Sequence, residues 1–392
     1  MLDRSSLGNI GGPKPGGTLR QSRIALVIGT RPEAIKLSPV AHALAAIGER
    51  PRLLVTGQHP GLELADHGLA GFDATPLACP GQTDPAVHAD LVRSAAKRVL
   101  AFHKPDLLIV QGDTSSALGG ALAAKELNVP LAHVEAGLRS FDTSQPWPEE
   151  ENRVTIDRLA DLLFAPTTGN AANLRREGTA GLVFVTGNPG IDTLAAIAGP
   201  LPAKKRQRWL RPRTMHLLVT CHRREAWGEG LEHVAETLLA LAAEGMTIDV
   251  MLHPNPTVTQ TIWALLGDRS AIRLIAPLSH GAMVKAMRRA DLILSDSGGM
   301  QEEAPALGVP LLVLRDKTER PEGLMRGAAE LVGTDPARIL AAVRRLRQDR
   351  AELRRMATPA MPYGDGRAAP RIACHCLAFL ANRDSNRQSL RA

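Results

Sequence analysis

Five polar clusters in this chain each follow directly on an apolar run. Gly29-Thr30-Arg31-Pro32-Glu33 closes "RIALVIGT". Gln111-Gly112-Asp113-Thr114 closes "DLLIVQGD", and His133 and Glu135 end "PLAHVEAG". Cys221-His222-Arg223-Arg224-Glu225 follows the run that starts at His216, and Ser295-Asp296-Ser297-Gly298-Gly299 follows "LILS". Carboxylates at such places can move protons, and arginines can grip phosphate in a two-pronged geometry. The turn Ser295–Gly299 puts bare N–H groups at a helix start, which attracts phosphate, and its two glycines let a ligand approach the backbone. Glu303, one turn further on, is placed to reach a ribose diol. The stretch "HVEAGLRSFDTSQPWPEEENR" (133–153) adds four glutamates, two arginines and Trp147 between two prolines. A solvated surface or a substrate pocket could each account for it.

The elements that carry these residues alternate. Short apolar runs at 23–30, 51–58, 106–113 and 130–137 are separated by helical segments, one of them 116–127. A second series runs through 216–222, 247–254, 272–277, 292–298 and 310–316. Continuous β-rich runs joined through helices predict parallel sheets covered on both faces. The patch "GPLPAKKRQRWLRPRT" (199–214) separates the two series and reads as a linker. The fold expected is α/β, with two doubly wound, Rossmann-like domains facing a deep cleft. Its limits are a tail at 1–22, an N-terminal domain at 23–198, a C-terminal domain at 199–375, and a helix end and tail at 376–392. The polar clusters then share the carboxyl edges of the two sheets, where open α/β folds bind ligands. No Walker loop is present and no G-x-G-x-x-G follows the first run, which counts against an NTPase or a dinucleotide enzyme. A nucleotide held by the second domain, with its attached group facing the first, suits the pattern.

Composition narrows the class. The 392 residues are 44% hydrophobic and 22% charged, as in ordinary globular proteins. The net charge is +7, and residues 1–23 and 381–392 supply five of those seven charges. The body is therefore nearly balanced and has no basic stripe interleaved with aromatics, so no nucleic-acid partner is expected. No apolar run is long enough to span a membrane, and the first residues lack the apolar segment of a signal peptide, so the expectation is a cytoplasmic protein with no membrane partner. Cys79 and Cys221 are isolated, and Cys374 and Cys376 have no partners at zinc spacing, so all four read as reduced thiols and no metal is expected.

The motifs "GTRPEAIKLSPV", "QGDTSSALG", "HVEAGLRS", "PWPEEENR", "VTCHRREAWGEG", "SDSGGMQEEAPALGVPLLVLRDKTERPEG" and "PYGDG" resemble those of the non-hydrolysing UDP-N-acetylglucosamine 2-epimerases, from about residue 23 to 375. The resemblance implies a GT-B-type fold and a homodimer. It implies reversible C2 epimerisation of UDP-N-acetylglucosamine and UDP-N-acetylmannosamine, through loss of UDP to a 2-acetamidoglucal and its re-addition, in the supply of surface polysaccharide precursors. Neither metal nor cofactor is used. The alternatives are the same chemistry on a modified UDP-sugar, such as a diacetamido uronic acid, or a glycosyltransferase or hydrolysing relative. The resemblance assigns catalysis to Asp113, Glu135, Glu149 and His222, with Asp113 and Glu149 as the acid and base at C2, Glu135 by the ring or orienting its neighbours, and His222 at the diphosphate. It makes Arg31 and Arg153 clamps for phosphate or sugar, and Ser297, Gly298, Gly299 and Glu303 contacts of the diphosphate and ribose.

Around these, His133 reads as a satisfied strand-end histidine, Glu150 and Glu151 as solvated or helix-start residues, and Trp147 as a packing residue. Arg223 and Arg224 divide between ligand and ion-pair roles. The sequence departs from the family in "GQHPGLEL", where "QHREM" is usual and a second, activating sugar-nucleotide site forms in many members. It also departs in "GNPGID" at 187–192, where "GNTVID" is usual. No Tyr or Phe lies near 276–284 to stack on a uracil, which leaves that contact to the backbone.

Overall fold

The computed structural model describes residues 22–144, 146–201, 214–221, 228–253, 255–267 and 269–389. His222, with Arg223 and Arg224, lies outside the described residues. So do nearly all of the expected N-terminal tail and linker, and residues 390–392. The described residues form two parallel sheets. The first holds β1 (Ile24–Ile28), β2 (Arg52–Val55), β3 (Ala74–Pro76), β4 (Leu107–Gln111), β5 (Leu131–Val134), β6 (Leu162–Ala165) and β7 (Leu182–Val185), in the order β3-β2-β1-β4-β5-β6-β7. The second holds β8 (His216–Thr220), β9 (Thr247–Met251), β10 (Ile272–Ile275), β11 (Leu292–Ser295), β12 (Leu311–Val313) and β13 (Ala329–Leu331), in the order β10-β9-β8-β11-β12-β13. Both are doubly wound, as expected. The strand order reverses between β1 and β4 in one sheet and between β8 and β11 in the other. Such switch points open a crevice at the carboxyl edge.

Helices α1 (Arg31–Ala46), α2 (Pro85–His103), α3 (Ser115–Glu126), α4 (Glu149–Leu159), α5 (Thr168–Arg176) and α6 (Pro189–Ala198) follow strands of the first sheet. With the second come α7 (Glu229–Ala243), α8 (Pro256–Leu266), α9 (His280–Arg289), α10 (Gly298–Leu307), α11 (Pro321–Met325), α12 (Pro336–Gln348), α13 (Arg350–Met356) and α14 (Ala368–Ser389). Central strands β1, β4, β5, β6, β11 and β12 are buried along their whole length, which explains their unbroken apolar runs. Each sheet carries apolar clusters on both faces.

Two helices exchange sides. Ile191 and Leu194 of α6 bury in the second sheet's core beside Leu218, Met283 and Met287, before the chain has reached the expected linker. Ile372, Cys376 and Leu380 of α14 bury against Ile24, Leu26 and Phe164 in the first sheet's core. The expected limit at 375 falls inside this one continuous helix, whose end lies in the stretch expected to hold it. Its apolar face packs in the first sheet's core along Ala369, Ile372, Ala373, Cys376 and Leu380. Asp192 of α6 caps α14 by accepting from the amides of Ala368 (3.0 Å) and Ala369 (2.8 Å), which ties the two crossing helices together.

Tyr363 of "PYGDG" is 1% exposed beside this crossing. Its hydroxyl donates to the Arg320 carbonyl at 2.9 Å and accepts from the Gly323 amide at 3.1 Å. Tyr363→Phe leaves that buried amide without an acceptor, so the unfolding free energy should fall by ~1–3 kcal/mol. Urea denaturation of both proteins checks this, and an unchanged midpoint would remove the hydroxyl from the framework.

Candidate functional site

The site is built on the two switch points. Beyond β1, Thr30 caps α1 and Glu33 closes a capping box with it. The Glu33 carboxylate is buried and accepts from the amides of Gly29 and Thr30, both at 2.7 Å, and from Thr114 Oγ1 at 2.5 Å. This joins the turn after β1 to the turn after β4. Burial raises the Glu33 pKa above the ordinary carboxylate value, and the bonds from Thr114, Gly29 and Thr30 oppose that rise. A Cβ on Gly29 would stand 2.1 Å from Ser116 Oγ, so only glycine lets these turns approach. Arg31 is exposed at the head of α1, and its amide donates to His59 Nδ1 at 3.3 Å.

Glu135 is the most heavily bonded of the predicted residues. Only 4% exposed, it accepts from Lys36 Nζ at 2.7 and 2.8 Å, from Asn188 Nδ2 at 3.1 Å, from Arg320 Nη2 at 2.9 Å and from Gln111 Nε2. Its φ is +73°, a left-handed conformation that costs a non-glycine residue ~1–3 kcal/mol and clusters at functional sites. Arg320, from the second series, also binds Glu302 at 2.6 Å and Glu319, and Lys36 reaches Glu302 at 3.3 Å. Five buried residues thus form an ionic node between the carboxyl edges of the two sheets. Burial works against charge on Glu135, but Lys36 and Arg320 outweigh it and hold the pKa at about 2. Burial pushes Glu302 up to about 7, against the pull of Lys36 and Arg320 and with the repulsion of Glu135. With every lone pair engaged, Glu135 is a poor proton acceptor and a good organiser.

Asp113 lies past the end of β4, with its side chain 26% exposed. Arg153 donates to Asp113 Oδ2 through Nη2 (2.5 Å) and Nε (3.2 Å), so Oδ1 keeps its lone pairs. Arg153 is 2% exposed and gives its remaining Nη1 to Glu150 at 2.7 Å. The guanidinium expected to grip phosphate or sugar is therefore spent on two carboxylates of its own sheet. Glu149, half-buried, opens α4 one residue before Glu150. His133 is fully buried between Asp157 (2.7 Å) and the Gly112 carbonyl (2.8 Å), as a satisfied histidine should be. Glu150 stands in the first turn of α4, as its helix-start reading had it, but is buried rather than solvated, and Trp147 is 57% exposed rather than packed.

On the second sheet, Ser297 precedes α10 and makes no side-chain cap, so it does not occupy the first-turn amides of Gly298 and Gly299. A Cβ on Gly298 would lie 2.8 Å from Arg320 Nη1, which sets that cation directly behind the first amide. Helix N-terminus, glycines and guanidinium together make an anion cradle. Glu303 accepts from His280 Nε2 at 2.8 Å. Burial opposes a charge on His280, yet that bond raises its pKa. The structure thus brings Asp113, Arg153 and Glu135 together on one edge and Ser297, Gly298, Gly299 and Glu303 on the other, with Arg31 and Glu149 on the first sheet's rim. Sequence reasoning missed Lys36, Glu302 and Arg320. Their signal was available in "PEAIK", "MQEEAP" and "KTERPE", charged residues beside apolar runs, but their pairing is visible only once the sheets meet. Among the described residues no group of three or more His, Cys, Asp or Glu could hold a metal. No described helix is long and apolar enough to cross a membrane.

An anion cradle opposite carboxylates, on two doubly wound sheets, defines a nucleotide-sugar enzyme of GT-B type. The chain belongs to the UDP-N-acetylglucosamine 2-epimerase family, whose model matches residues 42–376. It is 40% identical over 367 residues to the UDP-N-acetylglucosamine 2-epimerase of Salmonella typhimurium, across 89% of this chain and 97% of the relative. Its structure is similar to UDP-GlcNAc 2-epimerase from Neisseria meningitidis bound to UDP-GlcNAc (TM-score 0.82, 34% identity, 91% of this chain and 99% of that one). It is also similar to the Methanocaldococcus jannaschii enzyme in complex with UDP-GlcNAc and UDP (TM-score 0.77, 32% identity, 91% and 99%).

The ionic node has a pH signature. Glu302 holds its proton more tightly folded than unfolded, so its contribution to stability is full below the ordinary pKa of 4.5 and is lost as pH rises to about 7. Glu135 acts oppositely, stabilising above 4.5 and losing that contribution as pH falls toward about 2. Urea unfolding at about pH 5 and about pH 8 should therefore show a decline with pH that is smaller in Glu302→Gln. Identical pH slopes would mean that Glu302 stays ionised throughout.

Proposed function

We propose that this protein interconverts UDP-N-acetylglucosamine and UDP-N-acetylmannosamine, acting as a cytoplasmic homodimer that supplies precursors for surface polysaccharide. The observation that carries the reading is the opposition of an anion cradle on α10 to a carboxylate group after β4 and β5, across the two switch points. The first domain then handles the sugar and the second the UDP.

The C2 hydrogen of the sugar has no neighbouring carbonyl and is barely acidic. Departure of UDP must lead. The C1–O bond breaks, its electron pair leaves with the diphosphate, and the cation-like C1 acidifies C2–H. A carboxylate then takes the C2 proton, and the C–H pair closes the C1=C2 bond of 2-acetamidoglucal. For return, a proton reaches C2 on the other face and the diphosphate oxygen attacks C1. The α10 amides, backed by Arg320, suit the leaving diphosphate, and one such donor is worth ~3–4 kcal/mol of barrier. Asp113 and Glu149 share the acid and base work. Asp113 has a free oxygen for it, whereas Glu135 has none and serves by fixing Lys36 and Arg320 near the ring and diphosphate. Arg31 on the rim meets the diphosphate, Glu303 the ribose, and His222 the departing phosphate in its family role.

Proton NMR of the protein with UDP-N-acetylglucosamine in deuterated water tests this. Deuterium should enter C2 while UDP-N-acetylmannosamine accumulates, and Asp113→Asn and Glu149→Gln should each slow both by at least ~100-fold. Release of free N-acetylmannosamine would favour a hydrolysing enzyme instead, and a C2 that keeps its protium would sink the elimination mechanism.

A further inference from the structure

Glu150 is one of the buried carboxylates that the mechanism leaves unused. It is 2% exposed and makes three bonds, all as an acceptor. Its Oε2 takes Arg153 Nη1 at 2.7 Å and the Ser140 amide at 3.0 Å, and its Oε1 takes the Phe141 amide at 3.1 Å. Arg153 turns its other two nitrogens on Asp113 Oδ2. The exposures order the chain of charges. The Glu150 and Arg153 side chains are 3% and 2% exposed, and that of Asp113 is 26% exposed. The row therefore begins in the interior and ends at the substrate cleft.

Resting on the epimerase reading above, we infer that Glu150 is a positioning residue. It fixes the Arg153 guanidinium, and through it the carboxylate of Asp113, in the orientation that proton transfer at C2 requires. Arg153 by itself could not do this. A guanidinium gripping Asp113 through one edge still swings about its long stem unless the opposite nitrogen is held. Glu150 holds it, and is itself held by two backbone amides of the loop that leads from β5 to α4. Asp142 of that loop pairs with Lys317 of the second series, so the loop is secured from both sides. The residue must be a carboxylate. Glutamine has one accepting oxygen, and whichever way its amide turns, an N–H₂ group faces either Phe141 N–H or Arg153 and Ser140 N–H.

Glu150→Gln, with Glu151→Gln as control, tests the assignment. Glu151 is the exposed neighbour in the same helical turn, so its variant removes the same charge without touching Arg153. Three quantities are read for each protein: kcat for epimerisation, C2 deuterium exchange, and UDP affinity by calorimetry. Because the UDP cradle lies on the other sheet, Glu150→Gln should lower kcat and exchange together by ~10–100-fold, the scale of a misplaced catalytic group. UDP affinity should stay within about twofold of the parent, and Glu151→Gln should match the parent throughout. If Glu150→Gln does not fold, Glu150→Asp keeps the charge but falls short in reach, and its kcat should drop with UDP affinity retained. A kcat within twofold of the parent in the folded variant overturns the assignment, as does a parallel loss of UDP affinity. A parent that exchanges no deuterium overturns the epimerase reading itself, and Glu150's role with it.

Discussion

Placing the carboxylate of Glu135 in the protein interior imposes the main constraint on this fold. Removing such an ion from water costs several kcal/mol unless partners close around it. Here no single element can supply them. Lys36 comes from α1, Gln111 from the end of β4, Asn188 from the residue before α6, and Arg320 from the residue before α11. The last belongs to the other sheet, so neutralising Glu135 also fixes how the two carboxyl edges face each other. Glu302 then shares the same two cations, and burial raises its pKa against their pull, with the repulsion of Glu135 adding to the rise.

Three carboxylates near one cleft thereby acquire different tasks through their surroundings rather than their chemistry. Glu135 is saturated with donors and held ionised, which suits it to orient cations. Asp113 has one oxygen committed to Arg153 and one free, on the side that solvent reaches. Glu150 is as buried as Glu135 but faces a guanidinium and two amides, with no route to a ligand. Side chains of one type separate into organiser, reactive group and support according to where their lone pairs point.

Much of the fold was legible because both sheets are parallel and covered on two faces, so their strands read as unbroken apolar runs. The positions of β1, β2, β4, β5, β8, β9, β10, β11 and β12 follow from those runs. The three-residue strands β3 and β13 are too short for any period to register. The exchange of α6 and α14 between the cores was hidden for another reason. An apolar helical face shows that a helix is buried, not which sheet buries it. The same limit applied to the site. Residues standing just after strands could be placed from sequence, as with Asp113, Glu135 and Ser297. The partners of those residues could not. Arg153 was expected to clamp phosphate or sugar and Glu150 to be solvated or at a helix start, and the ion pair between them shows only in three dimensions.

The two sets of contacts between the sheets differ in kind, and this bears on how the site works. The exchanged helices bury apolar faces in both cores and are joined across the junction through Asp192, a contact that involves no charge in the cleft. The ionic node faces the cleft and is sensitive to any charge that enters it. Arg320 stands directly behind the first amide of α10, and an anion resting on that turn must compete with Glu302 and Glu135 for the same guanidinium. A carboxylate that can take up a proton near neutrality eases that competition, because a neutral Glu302 leaves more of Arg320's charge to the incoming anion. The apolar contact and the ionic one meet at the head of α6, where Asn188 donates to Glu135 and Gly190 lies against Lys36 and Glu302.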